Sequence, residues 1–272
     1  MTNKLQITDQ LKRRLEIPFP PRRIVSLVPS QTELLHDLGL GDAVVGITKF
    51  CVHPESWFRE KARVGGTKKL HLDKIAALKP DLIIGNKEEN DRAQIEALMA
   101  QYPVWMSDIQ NLNEALDMIR RIGEMVDQSA KAEVMIVQIE QDFATLKPLK
   151  PLRTAYFIWQ EPYMVAAANT FIDDMLQRAG FVNVFAHLER YPELDEAAIQ
   201  VAQPQVILLS SEPYPFKEQH MEALRKHCPD AFICLADGEL FSWYGSRLLH
   251  AASYFRNLHQ RISLGLSAKH SS

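Results

Sequence analysis

Cysteine is scarce in this chain of 272 residues, and the three present, Cys51, Cys228 and Cys234, form no Cys-x-x-Cys pair. An odd, scattered set excludes a disulfide framework. An excess of one charge is lacking too: 31 Lys and Arg against 34 Asp and Glu leave a formal net charge of -3, mixed along the chain without a basic stripe. Nucleic-acid binding and strong attraction to an anionic membrane are therefore not expected. No apolar run approaches the ~20 residues of a membrane helix. The opening segment, MTNKLQITDQLKRRLEIPFPP, has neither the apolar core nor the small-residue cleavage site of a secretory signal. No export signal is read, which leaves a cytoplasmic location open. Catalytic signatures are missing as well: there is no Gly-x-Ser-x-Gly elbow, no phosphate-cradling Gly-x-x-x-x-Gly-Lys and no Gly-x-Gly-x-x-Gly turn. Ser30 sits at a helix start with no credible base and acid to make it a nucleophile. A binding role without a required cofactor is expected, rather than an enzyme.

What is present is a plan written twice. In the first half the apolar run 24–28 leads into a helical stretch that stops at Gly39, and Asp-Lys-Ile-Ala-Ala-Leu-Lys-Pro-Asp feeds the run 82–84. In the second, the run 155–159 precedes a helical stretch stopping at Gly180, and 197–203 reaches Pro204 before the run 206–209. With 44–47 and 232–235 added, the strand candidates are short continuous apolar runs, as in parallel sheets buried on both faces. Ser30 with Glu33 fits a capping box, and Gly39 and Gly180 suit left-handed helix ends. The class read from this pattern is α/β. Between the halves, 128–147 reads as one helix whose Ala132, Ile136, Ile139, Phe143 and Leu146 share a face. At ~1.5 Å per residue it spans about 30 Å, enough to reach from lobe to lobe, although an amphipathic helix within one domain fits equally. The prolines of Lys147-Pro148-Leu149-Lys150-Pro151 end it. The segments are thus 1–21, an N-terminal extension; 22–127, an N-terminal α/β lobe; 128–150, a connecting helix and linker; and 151–272, a C-terminal α/β lobe. Two such lobes imply a ligand crevice, and a monomer suffices to form it.

Ligands of parallel sheets bind beyond the carboxyl ends of the strands. In the first half those loops hold Phe50, His53, Lys68, Asn86 and Lys87; in the second they hold Trp159, Gln160, Tyr163, Tyr214, Phe216, Phe241, Trp243, Tyr244 and Arg247. A single aromatic beside a loop is ordinarily packed on its own sheet, but seven after second-half strands outline a broad apolar wall with a few polar contacts. Asn86 and Lys87, nearest the strand end, are favoured over Glu88 and Glu89 as ligand contacts. A bare metal site needs three or four converging donors, and His53, Glu161, Glu212 and Tyr214 could supply them only across the crevice, without any His-x-x-x-His spacing.

The residues Arg-Ile-Val-Ser-Leu-Val-Pro-Ser-Gln-Thr-Glu-Leu-Leu at 23–35, Val-Gly-Ile-Thr at 45–48 and Leu-x-x-Ile-x-x-Leu-Lys-Pro-Asp-Leu-Ile-Ile at 72–84 resemble the substrate-binding proteins of ABC importers for cobalamin, haem and ferric siderophores, most nearly the cobalamin branch. The resemblance implies two parallel-sheet α/β lobes joined by a single long backbone helix, with the ligand crevice between them. It implies a bulky metal-chelate or tetrapyrrole-like ligand, an ABC permease as partner and an extracytoplasmic, periplasmic place of work. By position, the family's loop aromatics correspond to Phe50 and Tyr191, while two family tryptophans are replaced by Thr67 and Asn86. Trp159, Tyr163, Trp243 and Tyr244 are then expected to supply the stacking, with hydrogen bonds from Asn86, Lys68, Gln160 and Arg247. Permease docking through one acid per lobe corresponds to Asp73 and, near Ala197, to Glu193 and Glu196. The rival readings are a ferric-ion or other metal-ion receptor and a cytoplasmic cofactor-handling enzyme or metallochaperone.

Overall fold

The computed structural model describes residues 3–146 and 150–269. Contacts divide the chain into two units. The first runs to Ile109 and takes in Asn113–Gln138 and Tyr244–Arg247; the second holds Gln110–Leu112, Ile139–Trp243 and the chain from Leu248 onward.

Unit 1 opens with an antiparallel hairpin, β1 (Asn3–Thr8) and β2 (Arg14–Phe19), in register from Asn3↔Phe19 to Thr8↔Arg14. Its covered face carries Leu5, Ile7, Leu15, Ile17 and Phe19, while Lys4, Gln6, Arg14 and Glu16 are exposed, the period of two of a strand with one face packed. There follow β3 (Ile24–Ser26), α1 (Pro29–Asp37), β4 (Val44–Ile47), α2 (Glu55–Glu60), β5 (Ala62–Arg63), α3 (Leu72–Ala77), β6 (Leu82–Asn86), α4 (Arg92–Met99), β7 (Val104–Ser107), α5 (Leu112–Met125) and α6 (Ser129–Ala144). The sheet is parallel in the order β5-β4-β3-β6-β7. Ile24, Val25, Leu82, Ile83 and Ile84 are fully buried, which is why β3 and β6 read as unbroken apolar runs. The strand order reverses between β3 and β6, so their carboxyl ends form a switch point. The expected Ser30–Glu33 capping box is not formed. Pro29 is the first helical residue and Val28 the cap, with no side-chain bond, because proline's fixed φ starts the helix without needing an N–H partner. Gly39 and Gly180 do adopt positive φ, +90° and +84°.

Unit 2 contains β8 (Leu152–Trp159), β9 (Tyr163–Val165), α7 (Phe171–Arg178), β10 (Phe181–Asn183), β11 (Glu193–Leu194), α8 (Glu196–Ala202), β12 (Val206–Ser210), α9 (Glu218–His227), β13 (Phe232–Ala236), α10 (Gly238–Ser242) and α11 (Leu248–Lys269). Its sheet is mixed. β10, β12 and β13 run parallel with β8, and β9 turns back antiparallel on β8 and pairs β11. β10 meets β8 at Leu152 to Thr154 and β9 meets it at Phe157 and Trp159, so the two share one edge of a single long strand. Ala155, Phe157, Ile207, Leu209, Phe216 and Leu224 centre one hydrophobic cluster of this unit.

The helix expected over 128–147 is α6, Ser129–Ala144, about 24 Å long at ~1.5 Å per residue; residues 147–149 lie outside the described residues. The unit boundary falls inside it, after Gln138, but the chain also changes unit around 110–112 and 244–247. This division does not single out one connecting helix. No helix among the described residues is long and apolar enough to cross a membrane.

Candidate functional site

In unit 1 the strand ends carry a buried polar network. Ser107, the last residue of β7, receives hydrogen bonds on Oγ from Gln31 Nε2 (2.7 Å) and Asn86 Nδ2 (3.0 Å). Asn86 Oδ1 accepts from the backbone N–H groups of Glu88 (2.8 Å) and Glu89 (3.0 Å), which shapes the loop after β6. Asn90 closes that loop, accepting from Asn86 N at 2.9 Å and donating through Nδ2 to the carbonyl of Thr67 at 3.1 Å. Nearby, Thr32 Oγ1 lies 2.7 Å from Ser26 Oγ and 3.1 Å from Cys51 Sγ. Burial pushes the Cys51 thiol up to about 11, against the hydrogen bonds of Thr32 and Thr48, so it is unreactive at neutral pH.

This network corrects the reading of Asn86 as a ligand contact. The side chain is 2% exposed and both ends of its amide are engaged. Lys87 and Lys68 remain at the surface, Lys87 paired with Asp108 (2.6 Å) and Lys68 donating to the Glu88 carbonyl (2.6 Å). Phe50 is open, 50% exposed, with the Lys49 ammonium 4.9 Å from its ring centre. Gly66 lies against the same ring, where an added methyl would meet Phe50 Cε2 at 3.1 Å. His53 is half-buried, and Asp73 is exposed in the first turn of α3.

Tyr244 and Arg247, read as part of a second-lobe wall, count with unit 1. Tyr244 is buried and donates to Glu89 Oε1 at 2.7 Å. Burial, then the charge of Glu89, drives its pKa well upward. Arg247 pairs through Nε with Glu33 Oε2 at 2.9 Å, which explains why Glu33 does not turn back to cap α1. Gly245 between them packs so closely that a Cβ there would meet the Ser30 carbonyl at 2.5 Å. Glu33 and Glu89 are thus partners missed in sequence, because nothing local signals bonds to residues so far downstream.

In unit 2 the strand ends are aromatic. Trp159, the last residue of β8, is 39% exposed, and its indole N–H donates to the Glu161 carbonyl at 3.1 Å. Tyr214 stands edge-on behind it at 5.4 Å, in turn against Phe216 at 4.8 Å and His220 at 5.5 Å. Tyr214 Oη donates to Gln160 Oε1 at 2.6 Å, tying the loops after β8 and β12 together. Trp159 therefore presents an exposed ring on an edge-packed, hydrogen-bonded support. Tyr163 packs edge-on against Phe157 at 5.7 Å, and the Arg190 guanidinium lies 5.7 Å over Tyr191.

Other members of the expected wall belong to the interior. Phe241 is fully buried, packed at a tilt against Tyr156 (5.0 Å) and Phe255 (4.7 Å), and is a core residue rather than a wall. Phe216 is 5% exposed within the hydrophobic cluster. Trp243 is buried with its indole N–H on Glu212 Oε1 at 2.8 Å, where Ser242 Oγ also donates at 2.6 Å. Burial holds the Glu212 carboxyl above its ordinary range despite these donors, helped by Glu239 and Asp237. Among the described residues no group of three or more His, Cys, Asp or Glu stands together to hold a metal ion. Glu193 on β11 and Glu196 in the first turn of α8 are exposed.

The model of the periplasmic binding protein family matches residues 24–229. The chain belongs to that family. Members are periplasmic substrate-binding proteins. This member is 31% identical to the vitamin B12-binding protein of Vibrio cholerae over 199 residues, 71% of this chain and 72% of that one. The crystal structure of the periplasmic vitamin B12 binding protein BtuF of Vibrio cholerae superposes with a TM-score of 0.75 at 25% identity, covering 90% of this chain and 99% of that one. The haem-binding protein RhuT from Roseiflexus, at 23% identity and TM-score 0.73 over 87% of this chain and 98% of that one, shares the fold. The β1–β2 hairpin precedes the family match.

Proposed function

We propose that this family member is the solute-binding protein of an ABC importer and captures a bulky corrinoid or tetrapyrrole-like metal chelate, cobalamin before haem or a ferric siderophore. The observation that carries the reading is the 31% identity to a vitamin B12-binding protein over 71% of the chain. The open face of Trp159, held by Tyr214 and Gln160, supports it, since a flat ligand stacks on such a ring and a rigid support lowers the ordering cost of binding. Phe50 beside Lys49 is the second contact surface that we assign. Exposed Asp73, Glu193 and Glu196 favour docking on a permease through acidic contacts. The chain acts as a monomer outside the cytoplasmic membrane on this proposal, and cell fractionation of the native protein tests its location.

The direct test is a thermal-shift and absorbance titration with cobalamin, haem and a ferric hydroxamate. A ligand at ~100 times its dissociation constant adds about 2.7 kcal/mol of stability. Cobalamin is expected to give that shift and Trp159→Ala to lose it. If all three chelates leave the melting temperature unchanged, the reading fails.

A further inference from the structure

The side-chain amide of Gln160 is held so that it can only give hydrogen bonds outward. The chain of bonds behind it starts at the backbone N–H of Lys217, which donates to His220 Nδ1 at 2.8 Å. A main-chain N–H can do nothing else, so Nδ1 is the bare nitrogen and the proton of the neutral ring sits on Nε2. That Nε2–H faces Tyr214 Oη at 3.5 Å and the Gln219 amide at 3.3 Å, where it calls for the amide oxygen. Tyr214 in turn gives its own proton to Gln160 Oε1 at 2.6 Å. The oxygen of Gln160 is thus occupied. Its Nε2 has no partner among the described residues, yet it is not one of the buried side-chain atoms left without one, which are Arg13 Nε, Ser30 Oγ, Gln31 Oε1, Trp105 Nε1 and Ser246 Oγ. Gln160 Nε2 therefore reaches solvent.

Trp159 and Gln160 flank the same phenol, since Tyr214 packs edge-on against the exposed indole at 5.4 Å while its hydroxyl holds the amide. A ring and a donor sit together. Charge decides which acceptor suits that donor. Glu161 follows Gln160 and is exposed, and, after burial, the charges of Glu196 and Glu161 raise the pKa of the neighbouring Tyr163 hydroxyl. Lys217 is the cation of the loop after β12, and exposed Glu218 follows it. A carboxylate brought to Gln160 meets like charge, whereas a neutral carbonyl oxygen takes the same hydrogen bond without that cost.

We propose that Gln160 is a specificity-determining residue that donates through Nε2 to an uncharged carbonyl oxygen, that of a carboxamide, on the rim of a flat ligand lying against Trp159. Tyr214 is its positioning residue, which keeps the amide from turning over. Resting on the reading of Trp159 as a contact for the transported chelate, this names the chemistry of that chelate's edge: carboxamides in preference to carboxylates.

Benzamide and benzoate, one flat ring with either group, serve as probes on the full-length ¹⁵N-labelled protein. The side-chain NH₂ pair of Gln160 is identified by its loss in Gln160→Glu, and the Trp159 indole by its loss in Trp159→Phe. Benzamide is expected to shift both saturably and to bind at least about threefold more tightly than benzoate. In Gln160→Glu, which still accepts from Tyr214 but has no N–H to give, benzamide is expected to bind at least about threefold more weakly by the Trp159 signal. Tyr214→Phe keeps the ring and releases the amide, so the Gln160 pair is expected to move to the shifts of a mobile side chain. A Gln160 pair that stays put with benzamide, whether or not Trp159 moves, overturns the proposal. Equal or tighter binding of benzoate overturns the carboxamide class, and an unmoved Gln160 pair in Tyr214→Phe removes the positioning role. Failure of the transport reading looks different: benzamide shifts both signals in a protein that ignores cobalamin, haem and the ferric hydroxamate.

Discussion

The carboxyl ends of the two sheets solve one problem with opposite materials. In unit 1 the loops after β3, β6 and β7 are fixed by amides and hydroxyls, with Gln31, Asn86, Asn90 and Ser107 bonding to one another and to backbone. In unit 2 the loops after β8 and β12 are fixed by rings, Trp159 on Tyr214 on Phe216, with one hydrogen bond to Gln160. A buried polar network loses heavily when one member is removed, since its partners are left unsatisfied. Removing an edge-packed ring at the surface costs little stability, and its exposed part is left for something else. Unit 1 thus holds its loops with a buried network, whereas unit 2 holds them with rings, one of which, Trp159, stays open at the surface.

Substitutions can break this contrast at several depths. The largest effect is expected from Phe241→Ala, which empties the aromatic core behind α10 and costs about 3–5 kcal/mol in chemical denaturation. A cost like that of an exposed ring would contradict its assignment to the core. Next, Asn90→Ala strips the Asn86 N–H of its acceptor and the Leu27 and Thr67 carbonyls of a donor, for about 2–3 kcal/mol. A near-neutral result would mean that the unit 1 network is not what holds those loops.

Glu212 offers a test by pH. Its folded pKa lies above the ordinary 4.5 because of burial, so its protonated form suits the folded state. The stability it contributes is complete below that ordinary value and is lost as pH rises through the higher folded one. Glu212→Gln keeps an oxygen for Ser242 and Trp243 and does not ionise. The melting temperature of the parent protein should therefore fall relative to the variant from about pH 4 towards neutrality. Parallel melting curves across that range would remove the raised carboxyl from the account. The smallest stability effect belongs to Trp159→Ala, about 1 kcal/mol or less. The same change is expected to weaken cobalamin binding roughly tenfold or more, ~1.4 kcal/mol, by isothermal titration. A large loss of stability with unaltered binding would reverse the contrast between the units.

The α/β class and the strands β3, β4, β6, β8, β12 and β13 are legible in the sequence because strands covered on both faces must be continuously apolar. The hairpin is not legible by that rule. Only one of its faces is covered, so its signal is the alternation of Leu5, Ile7, Leu15 and Ile17 with polar residues over two six-residue strands. The short pieces β5 and β11, two residues each, carry no pattern at all. At the strand ends, residue type locates Asn86, Phe241 and Trp159 alike. What separates a spent amide, a core ring and an open ring is partnership and depth, which depend on residues far away in the chain. Pro29 misleads in a simpler way: a capping-box pattern at Ser30 and Glu33 is overruled by a proline that starts the helix two residues earlier than that box requires and by an arginine at 247 that claims the glutamate.

Tyr244 and Arg247 reach partners 155 and 214 positions earlier in the chain. A ribosome adding ~5–20 residues per second finishes the strands of unit 1 about seven seconds or more before it makes these two side chains. During that interval Glu33 and Glu89 wait without them. A gene cut between the two halves would yield an amino-terminal fragment permanently short of four residues of its own unit, so co-expressing the two pieces, rather than either alone, is the sensible way to take this protein apart.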